Sequence, residues 1–139
     1  MAPMVGVGAV VVDGDRVLLI RRGHQPMKGE WSLPGGALEV GETLLEGVRR
    51  EVREETGLEV EPEALIEVLD RIARDAEGRV QFHYVLVDYL CRVTGGVLSC
   101  ATDAVDARWS SRDELAGVAE FTVAVIEKGL AVHAGAPSA

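Results

Sequence analysis

Positive charge is scarce in this chain: 14 Lys and Arg stand against 23 Asp and Glu, a formal net charge of −9. Coating nucleic acid through its phosphates needs a basic footprint, so nucleic acid is excluded as a partner. Aromatic residues are only 4% of the chain, and no base-stacking platform is visible among them. The two cysteines, Cys91 and Cys100, are too few for a disulfide framework and form no CxxC or Cys/His zinc spacing, so a reducing cytoplasm is the expected setting. His24, His83 and His133 stand apart, without metal-ligand spacing. The apolar stretch Val5 to Val12 follows no basic residue and is too short to span a bilayer, so neither a signal peptide nor an anchor is supported and no membrane partner is expected.

What is present is an ordinary globular composition, 47% hydrophobic and 27% charged over 139 residues. No repeat, linker or low-complexity block divides it, so we expect one domain over residues 1–134 and a loose tail over 135–139. Val5 to Val12 and Val17 to Ile20 around Asp13-Gly14-Asp15 predict a β-hairpin, ended by Arg21 and Arg22. Residues 23–41, rich in Gly and Pro, predict a long ordered loop around a short extended segment. A helix is expected over Thr43 to Thr56, opened by the capping box Thr43-Leu44-Leu45-Glu46 and stopped by Gly57. Strand-like runs follow over Ala64 to Ala73 and Arg79 to Val93, joined by a turn at 75–78, with one more short strand over Ala104 to Trp109. Ser111-Arg112-Asp113-Glu114 opens a short helix, and Glu120 to His133 carries apolar residues at helical spacing. Strands and two or three helices sharing one core predict an α/β or α+β sandwich.

An acidic protein that handles a polyphosphate commonly does so through a divalent cation bridging carboxylates and phosphates. Residues 36–58, GALEVGETLLEGVRREVREETGL, fit that chemistry. Glu51, Glu54 and Glu55 fall at i, i+3 and i+4 and share one helical face, where like charges oppose each other by about 0.2–0.5 kcal/mol per pair. At about 100° per residue, Leu44, Leu45, Val48 and Val52 make the apolar stripe, with Glu55 and Glu51 at its edge and Glu54 slightly beyond. A partly desolvated carboxylate cluster protonates or is disrupted unless it binds a cation, and an all-oxygen donor set suits Mg²⁺ or Mn²⁺. Gly47, between Glu51 and Glu54 on the wheel, leaves room there. Arg50 is expected to pair with Glu54 or Glu46 and to hold Glu51 in place. On charge pattern alone, a solvated helix laced with Glu–Arg pairs is the competing reading.

The spacing runs Gly36, five residues, Glu42, seven residues, then Arg50-Glu51-Val52-Arg53-Glu54-Glu55-Thr56-Gly57-Leu58, and it resembles the Nudix hydrolase box at every fixed position. The flanks Val17 to Arg22, Trp31-Ser32-Leu33-Pro34-Gly35-Gly36, Ala107-Arg108-Trp109 and Asp113-Glu114-Leu115 look like that family's too. The resemblance implies a Nudix-like α/β/α sandwich with a mixed sheet and a loop-helix-loop catalytic motif. It implies that Glu51, Glu54 and Glu55, with a backbone carbonyl at Gly35 or Gly36, hold Mg²⁺ or Mn²⁺. Asp103, or else Asp106, stands where relatives often place a further acidic ligand.

By the same resemblance Glu54 or Glu51 is the candidate base; from their positions, Arg50 orients the carboxylates and Glu42 and Glu39, just before the helix, serve a further ion or the water shell. Glu42 and Glu39 also sit where a carboxylate complements the helix dipole. Candidate substrate contacts are Arg21 or Arg22 at the terminal phosphate, Gly35 and Gly36 by close backbone approach, and Glu39. The implied reaction hydrolyses a nucleoside diphosphate linked to another moiety, and the stretch from Asp103 to Thr122 resembles small bacterial ADP-ribose pyrophosphatase-like members, which release AMP and ribose 5-phosphate. The alternatives are a (d)NTP or oxidised-nucleotide pyrophosphohydrolase and a non-catalytic nucleotide-sensing module. A homodimer is the expected assembly, with the strand Arg79 to Val93 contributing.

Overall fold

The structure, a computed structural model, describes residues 2–23, 28–99 and 104–135. The expected hairpin forms from β1 (Met4–Asp13) and β2 (Arg16–Arg22), antiparallel through Val12 and Val17. Its turn uses Gly14 at φ 65°, a left-handed conformation that glycine adopts without a Cβ clash. Two short strands follow, β3 (Trp31–Ser32) and β4 (Gly35–Ala37), then helix α1 (Leu44–Thr56). The long hairpin of β5 (Leu58–Arg74) and β6 (Val80–Gly96) leads to β7 (Ala104–Ser111), a 3₁₀ turn (Arg112–Glu114) and helix α2 (Glu120–His133).

The sheet order is β3-β2-β1-β6-β5, with β4 alongside β1 and β7 alongside β2. β1 runs parallel to β6 and every other pairing is antiparallel, so the sheet is mixed. Alternate residues of β1 serve opposite layers. Val7, Ala9 and Val11 pack with Val48 and Val52 of α1, while Val10 and Val12 pack with Val125 and Ile126 of α2. The sheet is thus sandwiched between two helices, an α/β/α architecture, and α2 comes close because a Cβ on its Gly129 would lie 2.8 Å from Val10 Cγ1.

Both ends of α1 follow the sequence. Thr43 Oγ1 accepts the Glu46 N–H at 3.2 Å, Glu46 Oε1 accepts the Thr43 N–H at 3.1 Å, and Gly57 closes the helix at φ 75°. Three expectations change. Leu45 lies off the buried stripe, 41% exposed. Gly47 makes room for packing and for a carboxylate, since a Cβ there would lie 2.7 Å from Leu38 Cδ1, 3.2 Å from Glu42 Oε1 and 3.5 Å from Val7 Cγ2. And β5 starts at Leu58 instead of Ala64, because Pro62 sits at a break in register between Pro62 and Ala64 and the strand continues through it.

Candidate active site

α1 carries its acidic face toward a cavity of about 550 Å³ that reaches across β4 and β1 to β6 and α2. Glu39, Arg50, Glu51, Glu54 and Glu55 line one end of it, together with the backbone of residues 34–38. The order of burial follows the helical wheel: Glu55 is 3% exposed, and the side chains of Glu51 and Glu54 are 12% and 46% exposed. Gly35 and Gly36 are where they are for want of a side chain. A Cβ on Gly35 would stand 2.2 Å from the Val7 carbonyl oxygen, and one on Gly36 would stand 2.7 Å from both carboxylate oxygens of Glu51. The Gly35 N–H donates to Glu55 Oε1 at 2.7 Å, which fixes the buried carboxylate to β4.

Arg50 is the hub of this end. Its Nε and Nη2 donate to the two oxygens of Glu42 at 2.6 and 2.9 Å, a two-point clamp. Nη1 donates to Glu51 at 2.9 Å and Glu54 at 3.2 Å, Nη2 also donates to the Ala37 carbonyl at 3.0 Å, and Glu39 lies 3.6 Å away. The hydrogen bonds from Arg50 hold the Glu42 carboxyl below its ordinary range, and the same contacts hold the proton of Arg50 more firmly than usual. The expected pairing with Glu54 is present. Glu46 instead caps the helix.

Four carboxylates, of Glu39, Glu42, Glu51 and Glu54, therefore surround a single guanidinium, and a fifth, of Glu55, lines the same end of the cavity. Among the described residues no group of three or more Asp, Glu, His or Cys side chains is arranged to hold a metal ion: Glu55 is turned to Gly35, and Glu51 and Glu54 to Arg50. By donor chemistry the cluster nonetheless fits a hard divalent cation. It is all oxygen, in excess negative charge, and cradled by a glycine whose Cβ would fill the place of the carboxylate.

The other candidates divide. Arg22 lines the cavity and Arg21 does not, because neighbouring strand residues face opposite sides. Glu42 clamps Arg50 outside the cavity wall. Asp103 lies outside the described residues, and Asp106, exposed, accepts the Ala107 N–H at 2.8 Å. The sequence reading missed the far end of the cavity: Gly6 and Gly8 of β1, Tyr84, Leu86 and Asp88 of β6, and Phe121 and Thr122 of α2. Two signals pointed there. Glycines at i and i+2 interrupt a valine-rich strand, and Asp88 is a lone acid within the apolar run Val85 to Leu90.

Comparison with known proteins follows the same lines. The family profile described as the NUDIX domain matches residues 2–129. The chain is 36% identical over 113 residues to an ADP-ribose pyrophosphatase of Methanocaldococcus jannaschii, covering 81% of this chain and 64% of that one. It is 39% identical over 105 residues to the human 8-oxo-dGDP phosphatase NUDT18, covering 73% of this chain and 30% of that one. It thus spans less than two thirds of the length of either relative. A solved MutT NUDIX hydrolase from Burkholderia pseudomallei superimposes with a TM-score of 0.77 at 32% identity, covering 92% of this chain and 98% of the other.

Proposed function

The chain belongs to the Nudix family, and on that premise we propose that it is a divalent-metal-dependent hydrolase of nucleoside diphosphates linked to a further moiety, cutting ADP-ribose to AMP and ribose 5-phosphate. The observation that carries this is the cavity itself, which joins a carboxylate cluster around Arg50 to an inner end walled by Tyr84, Leu86, Phe121 and Val125. A diphosphate suits the first and a nucleoside the second.

In this reading Glu51, Glu54 and Glu55, with a carbonyl of Gly35 or Gly36, would hold Mg²⁺ or Mn²⁺. A bound cation supplies neutralisation of the diphosphate and a lower pKa for water. The residues of the chain do the rest. Glu54, the most exposed of the three carboxylates and held at one oxygen by Arg50, takes the proton of the attacking water. The water oxygen bonds to one phosphorus, and the bond from that phosphorus to the bridging oxygen breaks. The bridging oxygen leaves with the second phosphate, so each product keeps one. Arg50 keeps Glu51 and Glu54 in place, its charge orienting rather than reacting. Arg22, on the cavity wall, meets the phosphate farther from the cluster.

The relative that is an 8-oxo-dGDP phosphatase supports a second reading, hydrolysis of an oxidised deoxynucleotide by the same cluster. A panel of ADP-ribose, 8-oxo-dGDP, (d)NTPs and nucleotide sugars at fixed Mg²⁺, with products separated, tests both. AMP with ribose 5-phosphate is the expected outcome. Saturable binding of these compounds without turnover would establish a sensing module instead.

A further inference from the structure

The inner end of the cavity exists because β1 presents glycine there. On the face toward α2 its residues alternate Gly6, Gly8, Val10, Val12, and the valines fill the core while the glycines leave space. The neighbouring strand fills part of it: in register with β6, Gly6 meets Leu86 and Gly8 meets Asp88. A Cβ on Gly8 would stand 2.2 Å from Asp88 Oδ1, so the carboxylate lies across the bare backbone where any other residue would expel it. Asp88 is 6% exposed and lines the cavity.

Nothing in the fold satisfies it. Among the described residues the Asp88 carboxylate has no hydrogen bond and no ion pair. The nearby charge is Glu67, of its own sign and already paired with Lys128 at 2.5 Å, while the Arg71 guanidinium stacks 4.7 Å from the ring of Phe121. A buried carboxylate without a donor opposes folding, and burial, followed by the charge of Glu67, pushes its pKa up to about 6. Apolar and aromatic walls with one unused acceptor suit a flat heteroaromatic ring that carries N–H groups. The position fits as well. Gly8 pairs with Asp88 on one side and with Gly35 on the other, so two inter-strand spacings, about 10 Å, separate Asp88 from the strand that anchors Glu55.

We propose that Asp88 is a specificity-determining residue that selects the base of the substrate, accepting hydrogen bonds from the amine-bearing edge of a purine at the inner end of the cavity. The proposal rests on the nucleotide reading above and narrows it: a purine with an exocyclic amine is taken, and the same purine without it is refused.

The test compares AMP and GMP with purine riboside 5′-monophosphate, which has no amine, by titration calorimetry on the wild type, Asp88→Leu and Asp88→Asn. Hydrolysis of ADP-ribose is followed in parallel, and thermal melts verify that each variant is folded. In the wild type, loss of the amine is expected to weaken binding about 10- to 100-fold, the worth of a hydrogen bond to a charged acceptor. In Asp88→Leu the preference is expected to collapse to within about twofold, and in Asp88→Asn, which keeps the shape and one acceptor oxygen, to an intermediate ratio. If Asp88→Leu does not fold, the Asp88→Asn ratio decides alone. A wild type indifferent to the amine, or variants that weaken all three ligands equally, would overturn the assignment. The AMP and GMP arms distinguish the two readings of the base. Discrimination without any hydrolysis would leave Asp88 in its role and remove the hydrolase reading, whereas hydrolysis without discrimination would do the reverse.

Discussion

The two ends of one cavity are built in opposite ways. At the outer end, Arg50 engages three carboxylates and a carbonyl through hydrogen bonds, the Gly35 N–H holds Glu55, and Glu39 lies in ion-pair range of Arg50. At the inner end, Asp88 is buried like Glu55, 6% against 3% exposed, and its side chain has no donor among the described residues. A carboxylate already held by the fold is positioned for work, while one left unheld is an acceptor waiting for something that the fold does not contain. Burial alone therefore does not separate structural acids from functional ones.

The comparison breaks most visibly at the outer end. Glu54→Gln is expected to lower kcat by about 10²- to 10⁴-fold, the usual worth of a general base, with the melting temperature held or raised because one of several like charges is gone. Steady-state kinetics beside a thermal melt would show it, and undiminished turnover would remove Glu54 from the mechanism. Gly36→Ala, whose methyl group would meet both oxygens of Glu51, should cost about 10²-fold in rate by displacing the carboxylate. An alanine variant with wild-type rate would mean that the cradle does not matter.

Arg50→Ala sharpens the contrast by making the outer acids resemble Asp88. Because Arg50 holds the Glu42 carboxyl below its ordinary value of 4.5, that stabilisation is present above pH 4.5 and is lost as pH falls through the lowered folded value. The variant should lose about 1–3 kcal/mol near pH 7 and less in acid, with activity partly restored by higher Mg²⁺. A penalty independent of pH, or no rescue by the ion, would assign Arg50 another role.

Asp88 has the opposite sign. Its folded value, about 6, lies above the ordinary value of 3.8, so the native state binds the proton more tightly, and the associated stability is full in acid and falls as pH rises through 6. Two units correspond to about 3 kcal/mol at most, so Asp88→Asn should be more stable than the wild type at pH 8 and little changed at pH 4. Melts across that range would show a gain growing with pH, and a flat difference would mean that the carboxylate is not strained by burial.

The sequence revealed the outer end because its parts are consecutive. Thr43 to Gly57 is one helix with its own start and stop, and helical periodicity alone ranks Glu55, Glu51 and Glu54 by burial in the order observed. The same periodicity erred at Leu45, which is 41% exposed, and did not show that Leu38 and Val7 close on Gly47. The inner end left two signals, the spaced glycines of β1 and the lone Asp88, that could not be joined for a different reason. Gly8 and Asp88 are eighty residues apart in sequence, and only the parallel register of β1 on β6 brings them face to face. Pro62 concealed the first part of β5, since a proline within an acidic stretch reads as a strand boundary and only tertiary pairing carries the strand past it.

That parallel pairing sets an order on assembly during synthesis. β1 precedes β6 along the chain, yet eight of its residues, Met4 through Val11, find their partners on β6 between Tyr84 and Cys91. Parallel neighbours require a long crossover, so loop-closure entropy delays this contact, whereas β5 and β6 zip locally around Asp75-Arg79. A nascent chain that ends after Gly57 would hold the complete acidic helix and still have no binding chamber, because the inner wall of the cavity comes from β6 and α2.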